Sequence, residues 1–206
     1  MKKIIIIGLP RTGTTSVSIF LLEAGLNVAH MGFTQDCFYA ADAISDAPCF
    51  SDYQSLHKIF ADARFVYLNR NIETWLPSIT MLLAKMQPHL APEGKFHPIM
   101  KRAFTKVFGD LNNIDISDQC YLKNCYQKHQ QQVLNYFKDH NNFISIDIEA
   151  PHGAQKLSHF LGLDFISDGF SVYNQGLRVA AWDEYKHPNK INSNLAGVNR
   201  RKFFSY

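Results

Sequence analysis

The feature that most constrains this chain lies at its start, in the segment KKIIIIGLPRTGTTS from Lys2 to Ser16. Ile4 to Ile7 are consecutive β-branched residues, a run typical of a short central strand that is buried on both faces. Gly8 and Gly13 then bracket a tight turn, and Thr14 opens a helix whose first amide groups are free. A strand, a glycine-bracketed turn and a helix N-terminus in this order predict a cradle for a phosphate or sulfate group.

The turn keeps the glycine spacing of the nucleotide-binding loop G-x-x-x-x-G-K-[ST] but lacks its lysine. Thr14 occupies the lysine position, and the positive charge lies inside the turn, at Arg11. In nucleoside triphosphatases that lysine contacts the β- and γ-phosphates. Its replacement by threonine therefore argues against ordinary use of ATP or GTP.

The run PRTGTT resembles the P-[KR]-[ST]-G-T-T loop of sulfotransferases, and the longer string GLPRTGT is most similar to a divergent branch of that family. In the family this loop binds the 5′-phosphosulfate of PAPS (3′-phosphoadenosine 5′-phosphosulfate), so the resemblance implies a PAPS site here. Arg11 matches the loop lysine that acts on the leaving group, while backbone amides and the hydroxyls of Thr14 and Thr15 would contact the sulfuryl oxygens. The donor-binding residues predicted in this segment are Pro10, Arg11, Thr12, Gly13, Thr14, Thr15 and Ser16.

A second apolar segment, at residues 64–68, predicts another strand that ends just before Arg70. Sulfotransferases have an arginine at this place and a serine about two helical turns later, and both are associated with the 3′-phosphate of PAPS. Arg70 and Ser78 match that spacing. A guanidinium binds phosphate through two parallel hydrogen bonds and a hydroxyl adds a third, which is the chemistry that the resemblance implies.

Transfer of a sulfuryl group to a hydroxyl or amine needs a base that takes the acceptor's proton. Cytosolic members of the family place a histidine before an x-Pro step upstream of the strand-end arginine, and Asp46 stands at the equivalent place here. Asp46 is therefore the first candidate for the base. His30 is the second, with suitable chemistry but no positional match, and Asp52 is the third. Because arginine keeps its proton at ordinary pH, the catalytic role implied for Arg11 is electrostatic.

The C-terminal part of the chain carries weaker signals. The run LSHFLGL at 157–163 is similar to an L-x-x-F-L-G-L segment near the end of many sulfotransferase domains. The resemblance covers about residues 1–165, and residues 166–206 form an extension of uncertain role within an expected single domain, 1–206. Arg200 and Arg201 are candidates for further contacts to the 3′-phosphate, or for a solvated basic tail. Trp182 and Tyr185 are candidates for an acceptor or adenine pocket, or for the core.

Alternating strands and helices predict an α/β fold, P-loop-like and three-layered, with a central parallel sheet flanked by helices. The predicted strands are residues 4–7, 64–68 and 142–147, and the predicted helices are 14–24, 71–85, 99–108, 118–138 and 154–161. Pro77 is expected to kink the second helix or to mark a late start. Residues 87–98 contain three prolines and a glycine, and they predict a loop that is a candidate lid over the acceptor site. Ligands of such sheets bind at the carboxyl ends of the strands, where the Gly8 turn and Arg70 both lie.

The bulk composition agrees with this interpretation. A chain of 206 residues, of which 46% are hydrophobic, can bury the core of one domain. A net charge of +3 suits an anionic cosubstrate and does not indicate a nucleic-acid partner. The nine histidines and four cysteines have neither metal-ligand spacing nor a disulfide pattern, so we expect no metal and free thiols. The apolar run at the start is too short for a signal peptide and no membrane span follows, so we expect a cytoplasmic enzyme.

Two other functions are compatible with the turn. A P-loop nucleotide kinase or NTPase could use Asp147, at the end of the third predicted strand, to hold magnesium. A non-catalytic nucleotide-binding protein would keep the cradle without a base. An NAD-dependent epimerase fits less well, because no G-x-G-x-x-G follows the first strand. Within the sulfotransferase interpretation, the acceptor (a small molecule or a carbohydrate) and the oligomeric state stay open.

Overall fold

The structure, a computed structural model, describes residues 2–164, 167–173 and 181–196. Its elements are β1 (Ile4–Ile6), α1 (Thr14–Glu23), β2 (Val28–His30), α2 (Gln35–Ala40), β3 (Ala43–Ser45), α3 (Cys49–Ile59), β4 (Arg64–Asn69), α4 (Ile72–Leu90), α5 (Pro98–Phe108), α6 (Gln119–Phe137), β5 (Phe143–Asp147), α7 (Gly153–Leu161) and α8 (Ala181–Glu184). Five strands form one sheet in the order β2-β3-β1-β4-β5, and every pairing is parallel. The predicted α/β fold with a central parallel sheet is confirmed.

The isoleucine run lies at the centre of this sheet because its side chains fill the core on both faces. Ile4 and Ile6 pack with residues of α1 and α7, whereas Ile5 packs with residues of α3 and α6. All three isoleucines are at most 1% exposed. Helices therefore cover both faces of the sheet, and the domain has the three layers that buried β-branched strands predict.

Helix α4 is longer than the sequence predicts, and it continues through both Pro77 and Pro88. Its buried side is apolar along the whole length and packs against α5 and α6 in a third core cluster. The buried residues of the helix are Trp75, Leu76, Ile79, Leu83 and Met86. Burial of this face outweighs the cost of about 3 kcal/mol that a proline imposes on a helix interior. The predicted loop at 87–98 is consequently shorter and runs from 91 to 97.

The sequence between residues 26 and 63 predicts no helix or strand, and the structure has four elements there. Strands β2 and β3 have three residues each, with the sequences VAH and AIS. Such runs are too short to show the alternation that identifies a strand. Helices α2 and α3 surround β3. These strands matter for the site because their carboxyl ends carry His30 and Asp46.

The outer edge of β2 is covered by a segment of the C-terminal extension. The amide of Val28 donates to the carbonyl of Asn189, and the amide of Ile191 donates to the carbonyl of Val28. This segment thereby protects an edge strand that would otherwise expose unpaired backbone groups. Among the described residues, no helix combines the length and the apolar character that crossing a bilayer requires.

Candidate active site

A cleft of about 830 Å³ opens at the carboxyl edge of the sheet. Its walls come from the segments that end or follow all five strands, together with α4 and the segment 170–173. The residues that line it are Pro10, Arg11, Gly13, Thr14, Thr15, Ser16, His30, Asp46, Arg70, Thr74, Pro77, Ser78, Met81, Leu82, Ile148, Glu149, Phe170, Ser171, Val172 and Tyr173. Parallel α/β sheets place their ligand sites at this edge.

The turn after β1 is held in a fixed shape by internal bonds. Arg11 and Gly13 have positive φ angles of 69° and 95°. The amide and the hydroxyl of Thr12 both donate to the carbonyl of Leu9, and Thr12 is fully buried. The indole Nε1 of Trp75 donates to the carbonyl of Pro10 at 2.9 Å, which ties the turn to α4. Thr12 therefore shapes the turn, whereas its predicted neighbours line the cleft.

The turn presents amide groups that have no partner. In the described part of the chain, the amides of Gly13, Thr14 and Ser16 make no hydrogen bond. The φ of 95° at Gly13 favours glycine, and a Cβ atom there would also lie 2.5 Å from Cδ1 of Ile148. Because free amides and the positive end of the α1 dipole point the same way, this turn suits an anion.

Arg11, Ser78 and Arg70 are brought together beside the turn. The guanidinium Nε of Arg11 donates to Oγ of Ser78 at 2.7 Å, and Nη1 of Arg70 donates to the carbonyl of Arg11 at 2.8 Å. Burial, and then the positive charge of Arg70, lower the pKa of Arg11. Two like charges held this close favour a bound anion between or beside them.

Two residues near Arg70 were missed by the sequence analysis. Glu149 accepts from Nε of Arg70 at 3.3 Å, and the hydroxyl of Tyr126 accepts from the Arg70 amide at 3.0 Å. Glu149 follows β5, so the strand-end rule that identified Arg70 could also have found it. Tyr126 lies within α6, and nothing in its sequence context separates it from a core residue.

The two first candidates for the base lie in contact. Nε2 of His30 is 3.5 Å from Oδ2 of Asp46 and 3.4 Å from Oγ1 of Thr15. Burial lowers the pKa of His30 and raises the pKa of Asp46, while their mutual attraction acts in the opposite direction on each. Both shifts from burial favour the uncharged forms. The cleft thus contains a histidine and a carboxyl group in contact, two groups that can exchange a proton.

The remaining candidates lie elsewhere. Asp52 does not line the cleft; it accepts from Arg102 at 2.6 Å and from Lys106 at 3.0 Å, so its candidacy as the base has no geometric support. Trp182 is buried against the ring of His30, 5.3 Å between centroids, and Tyr185 donates to Glu23. Arg200 and Arg201 lie outside the described residues.

Comparison with protein families agrees with this geometry. A family model described as the sulfotransferase domain matches residues 32–178, well over half of the chain. The chain belongs to the sulfotransferase family. The match includes Asp46, Arg70 and Ser78 but begins after His30, so membership does not depend on the turn at Gly8–Ser16. Comparison with curated proteins gives no significant match.

Sulfotransferase membership supports a transferase that moves a sulfuryl group. Within the described ranges, no group of three or more His, Cys, Asp or Glu side chains could hold a metal ion. Asp147, the magnesium ligand expected of a nucleotide kinase, is exposed at the end of β5 and accepts from the amide of Glu149. It does not line the cleft.

Proposed function

We propose that this sulfotransferase transfers the sulfuryl group of PAPS to a hydroxyl or amine of a small-molecule or carbohydrate acceptor. The observation that carries the proposal is convergence around one cleft. The amide-lined turn, the two arginines and the His30–Asp46 pair come from different strands and face the same space. Membership of the family supplies the reaction class, and the cleft supplies groups for both the donor and the acceptor's proton.

The turn is the proposed site of the 5′-phosphosulfate. The free amides of Gly13, Thr14 and Ser16 support this role, because they can donate to oxygens that gain negative charge during transfer. Arg11 is proposed to stabilise the charge that develops on the leaving phosphate. Its guanidinium stays protonated, so this contribution is electrostatic and moves no proton.

Arg70 and Ser78 are proposed to hold the 3′-phosphate. Ser78 accepts from Arg11, which leaves the serine's own proton free to donate. Nη1 of Arg70 donates to the turn and its Nε donates to Glu149. The remaining N–H groups of Arg70 can reach an anion in the cleft. Pro77, Met81, Leu82, Phe170 and Val172 form an apolar lining beside these groups. That lining suits the flat body of an adenine or of an acceptor.

His30 and Asp46 are proposed to take the acceptor's proton. PAPS supplies an activated sulfuryl group, joined through an oxygen to its 5′-phosphate. The acceptor oxygen or nitrogen bonds to sulfur while the bond between sulfur and that bridging oxygen breaks. The acceptor's proton passes to the pair, and the leaving electrons stay on the bridging oxygen of the product PAP. Contact between the two side chains lets either of them hold the proton.

Ligand-dependent thermal stability provides the first test. PAP should raise the melting temperature, because a ligand that binds only the folded state stabilises it, whereas ATP with magnesium should have little effect. Arg70→Ala and Arg11→Ala should abolish the PAP shift. Lys128→Ala, a lysine beside a separate cleft lined by α3 and α6, is the matched control and should keep it. A large shift with ATP and magnesium but none with PAP would favour a nucleotide kinase.

Turnover provides the second test. Radiolabelled PAPS is incubated with panels of sugars, phenols, alcohols and amines, and the labelled products are identified. Wild-type protein should label at least one class of acceptor. If PAP binds but neither His30→Ala nor Asp46→Asn, alone or together, changes turnover, the pair is not the base. If PAP binds and no acceptor is ever labelled, the chain is a non-catalytic binding protein.

A further inference from the structure

A chain of three short hydrogen bonds leads away from His30 into the protein. Nδ1 of His30 is 2.7 Å from Oγ of Ser45, and that oxygen is 2.8 Å from Oγ of Ser18. Ser18 in turn donates to the carbonyl of Thr14 at 2.7 Å. Ser18 and Ser45 are both fully buried. Water therefore does not compete for the hydrogen bonds of these two hydroxyls.

The far end of this chain fixes the direction of every proton in it. A carbonyl oxygen can only accept, so the Ser18 hydroxyl spends its single proton on Thr14. Ser18 must then accept from Ser45, because two hydroxyl oxygens 2.8 Å apart need a proton between them. Ser45 has no second proton, so its oxygen accepts from Nδ1 of His30. In the opposite direction Ser18 would donate to Ser45, and its oxygen would then lie 2.7 Å from the Thr14 carbonyl oxygen with no proton between them, a separation that only a hydrogen bond makes favourable.

We infer that Ser18 and Ser45 are positioning residues that hold neutral His30 as the Nδ1–H tautomer, so that its bare Nε2 faces the cleft as the proton acceptor. The inference rests on the proposed function, since it assigns His30 a share in accepting the acceptor's proton. Nε2 is the atom directed at Thr15 and Asp46, and both of these line the cleft. The ring of Trp182 packs on His30 and restricts its rotation.

This arrangement links the base to the donor turn. Thr14 is the first residue of α1, and its side of the turn lines the cleft. Residues His30 and Ser45 are direct neighbours in the parallel register of β2 and β3. A single rigid path thus runs from the turn through α1 and β3 to the histidine. The tautomer of the base depends on residues that never touch a substrate.

The tautomer is measurable by nitrogen NMR of the 206-residue chain at about pH 8, where a histidine is neutral. Long-range proton–nitrogen spectra distinguish a protonated ring nitrogen from a bare one, and His30→Gln identifies the His30 signals. Wild type should show a protonated Nδ1 and a bare Nε2. In Ser18→Ala, the Ser45 hydroxyl loses its acceptor and can donate to Nδ1, so the Nε2–H tautomer should appear. Ser45→Ala, which removes the acceptor of Nδ1–H, should have the same effect.

Activity should follow the tautomer. We expect kcat of Ser18→Ala to fall on the order of 10- to 100-fold, less than the roughly 10⁴-fold loss when a buried aspartate that orients a catalytic histidine is replaced. The affinity for PAP should not change, and Ser18→Thr should restore kcat. Thr80→Ala is the matched control, because Thr80 also donates to a carbonyl four residues earlier but lies outside the cleft. Thr80→Ala should change neither kcat nor the nitrogen signals of His30.

The results separate this inference from the proposed function. A bare Nδ1 in wild type, or unchanged His30 signals in both serine variants, would overturn the tautomer assignment whatever the activity. An absence of turnover from PAPS in wild type would overturn the proposed function, and the NMR result would still decide the tautomer. A fall in kcat in Ser18→Ala with unchanged His30 signals would mean that the serine acts only on structure.

Discussion

Two regions near the start of α3 each contain one buried histidine and one aspartate of low exposure, 16% for the side chain of Asp46 and 5% for that of Asp52. On the cleft side, Asp46 and His30 contact each other. On the side of α5 and α6, Asp52 is paired with two cations, and His129 donates through Nε2 to the carbonyl of Phe50 at 2.7 Å. The residue types are alike and all four side chains are mostly buried, but the partners differ. Burial of a titratable residue is therefore not enough to indicate chemistry.

The partners of each histidine and aspartate determine whether a proton can move between them. Burial lowers the pKa of His129 to about 4, so this histidine is neutral throughout the physiological range. Asp52 forms ion pairs with Arg102 and Lys106. The carbonyl group that His129 contacts can neither supply nor take up a proton. In the cleft, a histidine faces a carboxylate, and one proton can pass between them.

The largest expected effect distinguishes the two histidines by activity. His30→Ala should lower kcat by about 10²- to 10⁴-fold, the range for loss of a general base. His129→Gln should leave kcat unchanged, because His129 does not line the cleft and glutamine can still donate to Phe50. Both variants should bind PAP as wild type does. Equal losses of kcat in the two variants would remove the functional distinction between the regions.

The second effect appears in stability at acid pH. The folded-state pKa of His129 is about 4, below the unfolded value of about 6.5, so the unfolded state binds more protons between these values. His129 therefore makes its full contribution to the free energy of unfolding above about pH 6.5. That free energy falls by about 3 kcal/mol as the pH drops to about 4. Urea unfolding of His129→Gln across this range should show a correspondingly smaller fall. Parallel curves for variant and wild type would contradict the assignment.

The third effect distinguishes the two aspartates by the sign of the stability change. Asp52→Asn should lower the free energy of unfolding by about 2 kcal/mol, because two cations lose their partner. Asp46→Asn should not destabilise at about pH 8 and should be slightly stabilising, because burial raises the pKa of Asp46 and opposes its ionisation. Below about pH 3.9, the pKa of an aspartate in the unfolded chain, Asp46→Asn should no longer change the free energy of unfolding. Chemical denaturation at two pH values measures both signs.

The sequence predicts the framework of this molecule better than its site. The β-branched run at Ile4–Ile6 and the strand at 64–69 are apolar enough to be recognised, and Gly162, whose φ of 62° suits glycine, caps the C-terminus of α7. Helix α4 was predicted too short, because prolines weigh more in a sequence pattern than in a helix with a continuous buried face.

The contact between His30 and Asp46 could not be predicted, although both residues were named. It depends on the register of β2 on β3, which pairs His30 with Ser45 and puts Asp46 next along the chain. Neither strand is long enough to be seen in the sequence. The contact of Arg11 with Ser78 likewise depends on how α4 packs against the turn, through Trp75 and Pro10. Tertiary packing, which a local pattern does not encode, creates both contacts.

The fourth effect is a shift in the pH dependence of activity. Burial lowers the pKa of His30, whereas Asp46 and, more weakly, Asp183 raise it. Asp46→Asn should therefore move the acid limb of kcat/KM to lower pH. Asp183→Asn should move it in the same direction by less. If Asp46→Asn abolishes turnover at every pH instead, Asp46 itself is the base and His30 assists it.

The smallest effect concerns the cations around Asp52. Lys106 is more than half exposed, with a side-chain exposure of 56%, so solvent screens its charge. Lys106→Met should therefore cost only about 0.5 kcal/mol of unfolding free energy, several-fold less than Asp52→Asn, and the cost should fall further at high salt. Lys128→Met is the control, since Lys128 lines the same side of the protein and makes no ion pair among the described residues. If Lys106→Met costs as much as Asp52→Asn, one exposed lysine alone holds the buried carboxylate. Asp52 would then have one effective partner, as Asp46 has, and the contrast between the two regions would rest on the histidines alone.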